Sequence, residues 1–315
     1  MYFYGLIIFY IATLAKKQGE KGAFINNLIN GLVFIMSITV NLILINFFNL
    51  PIREFIAFPF NLLMIIFIIV FLPLFFLFIS REKQRIKIQK RTNNNLKFKS
   101  FKELPFKYEL YRKLTHFIVI GIIFFYFPLG ILNQNLVVFL VGISLVGLLT
   151  ADIIRILTPE IYPLKPVNQL LREKELHMRL GPHISMSIGC FSIILLYGLI
   201  QPIGPIIICL SMTMSVFGDV TANLIGRTIG KHKIRQTNKT YEGLITGIIA
   251  AFVSGFSMLL ILENYHHFSI ETVFLIPVVG AMIIGLLDYL DLNIDDNLSF
   301  NFCLTTILIF ISISL

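Results

Sequence analysis

Asp219 is the residue whose setting most needs a reason. It stands near the end of a run otherwise built of Ile, Leu, Met, Val and Phe. An ionisable side chain in such surroundings is costly and marks a functional candidate. Asp219, Ala222, Asn223 and Gly226 fall at i, i+3, i+4 and i+7, so they share one helical face. Ala222 and Gly226 keep that face thin, which lets a partner approach the backbone. The plainer explanation is a buried Asp paired with an Arg for packing. The residues that follow argue for more. Gly226 and Gly230, four apart, would let backbone N–H groups line an anion, and Lys231, Lys233, Arg235 and Lys239 would supply positive charge. Asp219 and Glu242 could hold Mg²⁺, which meets phosphates through one or two carboxylates. This is the chemistry that a nucleoside triphosphate requires. The loop is not a Walker A sequence: it is one residue short, and His232 stands where Ser or Thr would be. A solvated basic loop is the competing reading.

Other candidates lie upstream and downstream. Glu109, Arg112 and His116 share a helical face, and Lys113 is spaced to pair with Glu109 at i, i+4. Positive residues flanking a span would account for Arg112 and Lys113, but not for His116. Asp152 and Arg155 form an i, i+3 pair. Asp288, Asp291 and Asp295 trace another face, joined by Asp296 and Asn297; they read either as an exposed acidic turn or as a metal or substrate contact. Gly243, Gly247, Ala251 and Gly255 recur every fourth residue, the pattern of close helix–helix packing.

The elements that position these residues must be membrane helices. Only 14% of the 315 residues are charged, against about 25% in soluble domains. Residues 24–48, 55–80 and 243–262 contain no Lys, Arg, Asp or Glu, and roughly 20 apolar residues cross the hydrocarbon. Apolar runs divided by polar breaks predict an all-α, polytopic bundle of about ten spans: 1–15, 24–48, 55–80, 117–132, 135–154, 184–200, 203–222, 243–262, 272–290 and 298–315. The first is short for a span. With ten alternating spans, 25 of the 26 Lys and Arg fall on one side, and only Arg53 lies opposite. The positive-inside rule makes that side cytoplasmic and puts both termini outside. The net charge of +9 then needs no nucleic acid, only topology and anionic headgroups. No charge precedes the first apolar run, so a cleaved signal peptide is not expected. Cys190, Cys209 and Cys303 lie in apolar runs without paired spacing, which argues against disulfides and zinc. Three regions emerge: spans without a motif over 1–80, a basic membrane-surface linker over 81–108, and a motif-bearing domain over 109–315. Residues 158–182, with Pro159, Pro163 and Pro166 followed by scattered leucines, read as a broken amphipathic segment along the interface.

The pattern D-x2-A-x3-G-x3-G-x8-K-T-x-E-G from Asp219 to Gly243 resembles the CTP-using polyprenol kinases, a family of dolichol, phytol and CTP-dependent diacylglycerol kinases. Arg112, Lys113 and His116 look like its R-K-x-x-H element, Asp152 and Arg155 like its A-D-x-x-R. Glu175 is similar to an acidic position beyond it, and Asp296-Asn297-Leu298 resembles a late D-N-L. Phosphatidate cytidylyltransferases share a similar glycine stretch, but their C-terminal signature is not found after Gly243. The resemblance implies transfer of the γ-phosphoryl of CTP to a lipid alcohol: dolichol or another polyprenol, phytol or geranylgeraniol. It implies nucleotide contacts at Arg112, Lys113, Ala222, Gly226, Arg227 and Gly230, and at Lys231, Lys239, Thr240, Glu242 and Gly243. It implies Mg²⁺ on Asp219 and Glu242, catalytic roles for Asp219 and Lys239, and Asp152 or His116 as proton acceptor. Arg155, Glu175, Asp296 and Asn297 are implied as further polar contacts. The rival classes are a diacylglycerol kinase, a cytidylyltransferase and a transporter. A transporter would also carry intramembrane Asp, usually with inverted repeats, and no internal repeat is visible.

Overall fold

The computed structural model describes residues 1–47, 105–132, 134–159, 162, 168, 170–234, 237, 239–263, 265–290, 292 and 294–314. The expected span 55–80 and nearly all of the basic linker lie outside them. The described residues form eleven helices. They are α1 (Tyr2–Lys17), α2 (Lys21–Phe47), α3 (Phe106–His116), α4 (Ile118–Leu132), α5 (Gln134–Leu157) and the short α6 (Glu173–Leu176), then α7 (Pro182–Tyr197), α8 (Ile203–Thr228), α9 (Tyr241–Leu262), α10 (Ile270–Leu290) and α11 (Asp296–Ser314).

Six of these, α2, α5, α8, α9, α10 and α11, are long and apolar enough to cross a membrane. The protein is therefore a multi-pass helical membrane protein. Helices also form at three further expected spans, but α1, α4 and α7 have only 15 or 16 residues. At about 1.5 Å per residue each is shorter than a 30 Å hydrocarbon layer. α4 is short because the chain bends at Phe117, where Phe117 N–H donates to Leu114 O and Ile120 N–H to Phe117 O. α7 starts abruptly because Gly181 precedes Pro182 at its first turn, where a missing N–H costs nothing.

α8 is the hub. In its apolar stretch 83% of residues are buried, against 22–44% in the other five. α9 lies against it by way of the small-residue stripe. A Cβ on Gly247 would meet Ala222 Cβ at 2.8 Å, and one on Gly255 would meet Met214 Sδ at 2.7 Å. α1 and α2 make an antiparallel hairpin, with Gly5 against Ile35 and Gly31 against Ile8, and α2 leans on α7 through Asn41, whose amide donates to Leu195 O. Cys190 and Cys209 are buried as thiols. The described part of 158–182 is buried on one side and exposed on the other, with Glu173 and His177 outward. Leu171 and Leu180 are buried, as are Glu175 and Arg179, because the segment folds into the polar end of the bundle.

The alternating direction of the helices brings the polar ends together. The α1–α2 turn, the C-terminal ends of α5, α8 and α10 and the N-terminal ends of α9 and α11 meet around α3 and α6.

Candidate functional site

These ends enclose a cavity of about 1090 Å³. Its floor is the α8 face read from the sequence: Asp219, Ala222, Asn223 and Gly226 all line it. α8 runs on to Thr228, so Asp219 sits two turns inside the helix rather than at its end. α3 supplies the partners. Lys113 Nζ lies 2.5 Å from Asp219 Oδ2, and His116 Nδ1 lies 3.1 Å from the same oxygen. The expected Lys113–Glu109 pair does not form, because Lys113 is drawn across to α8. The three side chains are mostly buried, so each charge depends on the others.

Arginines make one wall. Glu109 is fully buried. Its Oε1 lies 2.5 Å from Arg112 Nη2 and 3.1 Å from Arg172 Nη2, and its Oε2 3.5 Å from Arg227 Nη2. Arg112 also reaches Glu175 Oε1 at 3.4 Å. Glu175 Oε2 accepts the backbone N–H of Arg172 at 2.9 Å, which closes the first turn of α6. Burial alone would raise the Glu109 pKa, but Arg112, Arg172 and Arg227 outweigh it and hold the carboxyl below the ordinary glutamate value. Burial pulls the Arg112 guanidinium down, yet Glu175 and Glu109 leave it more firmly protonated than a free arginine.

Aspartates make the opposite wall. Lys239 Nζ lies 2.9 Å from Asp288 Oδ1 and 3.3 Å from Asp296 Oδ2, and donates to Asp288 O at 3.0 Å. Asp295 Oδ1 accepts from both the backbone N–H and the side-chain amide of Asn297, a local turn that sets the start of α11. The exposed acidic turn that the sequence allowed is instead a cavity wall; Asp291 lies outside the described residues.

The glycine loop itself behaves differently from expectation. Thr240 caps α9 by accepting Gly243 N–H at 3.2 Å. Gly226, Gly230 and Gly243 are small because the α8–α9 corner is tight. A Cβ on Gly243 would lie 2.6 Å from Ala222 O, one on Gly226 3.0 Å from Thr240 Oγ1, and one on Gly230 would collide with Gly226 O. The segment between folds back on itself, Ile234 N–H to Lys239 O at 2.9 Å and Tyr241 N–H to His232 O at 2.9 Å. Lys231 and Lys233 point into solvent and do not line the cavity, whereas Arg227, Lys239, Thr240 and Gly243 do. Glu242 accepts from the His232 backbone N–H and lies 2.6 Å from its ring Nδ1. Asp219 and Glu242 are thus not brought together. Among the described residues no three His, Cys, Asp or Glu side chains gather as a metal cage. On the α9–α11 side the carboxylates that converge are Asp288 and Asp296, both on Lys239.

Asp152 and Arg155 are a pair, as their spacing suggested, at 2.6 Å. They fasten the fold rather than line the cavity. Arg155 donates to Glu175 O at 2.9 Å and Arg179 O at 2.8 Å, and Asp152 Oδ2 accepts Gly181 N–H at 3.0 Å. Nearby, burial pushes the Tyr162 hydroxyl up to about 12.

Several residues went unnoticed in the motif reading. Arg172 and Arg179 line the cavity, yet counted only as topological charge. The region 1–80 carried no motif, but α2 holds four buried asparagines, Asn26, Asn27, Asn30 and Asn41. Asn26 Oδ1 accepts from Arg179 Nη2 at 3.3 Å and from Asp295 N–H at 2.9 Å. Asn27 donates to Met178 O and accepts Leu180 N–H. The legible signal was three amides, at 26, 27 and 30, within an uncharged run. The chain matches no protein-family model, no curated protein and no solved structure.

Proposed function

We propose that the protein is a membrane lipid-alcohol kinase that transfers the γ-phosphoryl of CTP to an isoprenoid alcohol. The observation that carries this reading is a cavity with oppositely charged walls at the polar end of a membrane-spanning bundle. An anionic nucleotide needs the first wall, and the cation that accompanies it needs the second. The choice of CTP and of a prenol rests on the resemblance of the Asp219–Gly243 pattern and the R-K-x-x-H element. By the positive-inside rule the cavity faces the cytoplasm, where the nucleotide is found.

Arg112, Arg172 and Arg227 would take the phosphates, since guanidiniums match phosphate oxygens in a forked geometry. The carboxylates that fit Mg²⁺ are Asp288 and Asp296, because Mg²⁺ asks for only one or two carboxylates beside phosphate oxygens; bound there, it would neutralise phosphate charge. Lys239, which the two aspartates hold at the cavity edge, would add a fourth positive side chain. Asp219 has an orienting task. With His116 Nδ1 turned to its Oδ2, the lone pair of His116 lies on Nε2, which would accept the proton of the lipid hydroxyl. Lys113 pairs with the same Asp219 oxygen. Phosphoryl transfer asks mainly for positioning and charge stabilisation, which these groups supply.

Purified protein given CTP labelled at the γ or the α phosphate tests the reading, with a panel of prenols and diacylglycerol as acceptors. Prenol labelled only from the γ position supports it. Labelled diacylglycerol alone assigns the diacylglycerol kinase activity instead. Lipid labelled only from the α position makes the protein a cytidylyltransferase, and no labelled lipid removes the kinase reading and leaves transport.

A further inference from the structure

α3 is amphipathic in the reverse sense of a helix on a soluble protein. Glu109, Arg112, Lys113 and His116 face inward and are each at most 8% exposed. Leu110, Tyr111, Leu114 and Phe117 face outward, each at least 36% exposed. They stand at i, i+1, i+4 and i+7, one continuous stripe along the helix. Lys107 flanks the stripe with its ammonium 5.9 Å from the Tyr111 ring centroid.

Nothing in the inward face allows the helix to turn over, since Glu109, Arg112 and Lys113 are fixed by ion pairs to Arg172, Glu175 and Asp219. The outward stripe is therefore a fixed feature. It continues directly into α4, where Phe124 is 81% exposed, and the bend at Phe117 is anchored by an edge-on contact with Phe217 of α8. Aromatic rings and a lysine beside leucines are the side chains that favour the boundary between headgroups and acyl chains.

We infer that α3 lies in the bilayer interface, with its Leu110–Tyr111–Leu114 face against lipid acyl chains. The occupant is the bilayer itself, because the stripe is continuous with the apolar surface of the neighbouring helices and carries a flanking cation suited to anionic headgroups. The wall that holds Glu109, Arg112, Lys113 and His116 is then one helix thick between cavity and lipid. A lipid headgroup would lie level with Asp219 rather than below it. Charged residues before a span would ordinarily place such a helix in water; here Glu109, Arg112, Lys113 and His116 are turned into the protein, and Lys107 is left exposed beside the stripe. This inference does not depend on the reaction proposed above and can stand or fall without turnover.

The chain contains no tryptophan, so single-tryptophan variants report without background. Leu110→Trp, Leu114→Trp and, as a solvent control, Lys231→Trp would be made in the full chain. Each would be reconstituted in phosphatidylcholine vesicles containing phosphatidylglycerol. Lipids brominated near the glycerol end of the chain should quench Leu110→Trp and Leu114→Trp by more than half, and iodide should leave them nearly unchanged. Lys231→Trp should show the opposite pattern. Quenching of the α3 probes by iodide but not by brominated lipid would overturn the inference, and so would protection from both, since protein rather than lipid would then cover the face. Circular dichroism of each variant, unchanged from the parent, excludes misfolding as the cause.

Discussion

The two walls of the cavity carry their charges in opposite proportion. On the α3 side, Glu109 and Glu175 hold three guanidiniums, those of Arg112, Arg172 and Arg227. On the α10–α11 side, Asp288 and Asp296 hold the single ammonium of Lys239. Among these side chains the first wall is the richer in cation and the second in anion. On the function proposed above, that difference suits a ligand that brings both phosphates and a metal ion. Asp219, with Lys113 and His116, sits between them.

The middle of this arrangement is where the largest effect is expected. Asp219→Asn keeps the shape but removes the charge that orients His116 and pairs Lys113. Lipid phosphorylation should fall roughly 100-fold or more, the scale of a lost proton-transfer group, with the protein still in the membrane fraction. Retained activity would show that the triad is structural and that the walls alone define the site.

The second test separates the walls. Arg172→Ala and Arg227→Ala should each raise the KM for CTP by about tenfold, the scale of one charged hydrogen bond. Asp296→Asn should instead raise the Mg²⁺ concentration needed for half-maximal rate, with a smaller change in the KM for CTP at saturating Mg²⁺. If all three variants move the same constant by the same factor, the walls do not have distinct tasks.

Much of this geometry was legible, but unevenly. Asp219, Ala222, Asn223 and Gly226 could be placed on one face because a single helix carries them and its period is fixed. The same reasoning found Asp152–Arg155 and the packing stripe from Gly243 to Gly255. Lys113 was misassigned to Glu109 because spacing sees only partners on the same helix, and the stronger partner sat on α8. The Asp219–Glu242 pair failed for a related reason. The corner between α8 and α9 is closed so tightly by Thr240 against Gly226 and Gly230 that Glu242 is carried around to His232. Asn26 was invisible because its importance lies in contacts to Arg179 and Asp295, which are distant in sequence. Nine of the ten expected spans coincide with helices, six of them of membrane length, yet a run does not reveal a break such as the one at Phe117 that leaves α4 short.

A third test acts on stability. The Glu109 carboxyl is held below its ordinary value of 4.5 by three guanidiniums. A carboxyl with a depressed folded pKa contributes stability that is present above the unfolded pKa and is lost as pH falls through the folded one. Thermal unfolding of the wild type should therefore move to lower temperature as pH drops below about 4.5. Glu109→Gln should lose about 3 kcal/mol at neutral pH, as expected when one member of a buried ion cluster is removed. Its acid limb should also be flatter than that of the wild type. An unchanged acid limb would mean that the arginine wall is held by Glu175 alone.

The smallest effect concerns the loop that looked most like a phosphate cradle. Lys231 and Lys233 are exposed and their chain doubles back by way of the Lys233–Thr240 bridge, so their ammonium groups lie away from the cavity. Exposed charges at such positions couple weakly to a site through water and salt. Lys231→Ala and Lys233→Ala should change the KM for CTP by less than about twofold, and by less still at physiological salt. A tenfold rise in either variant would move the triphosphate out of the walled cavity and onto the loop. Arg172 and Arg227 would then be left as framework, and the contrast between the walls would describe how the bundle holds itself together rather than what it binds.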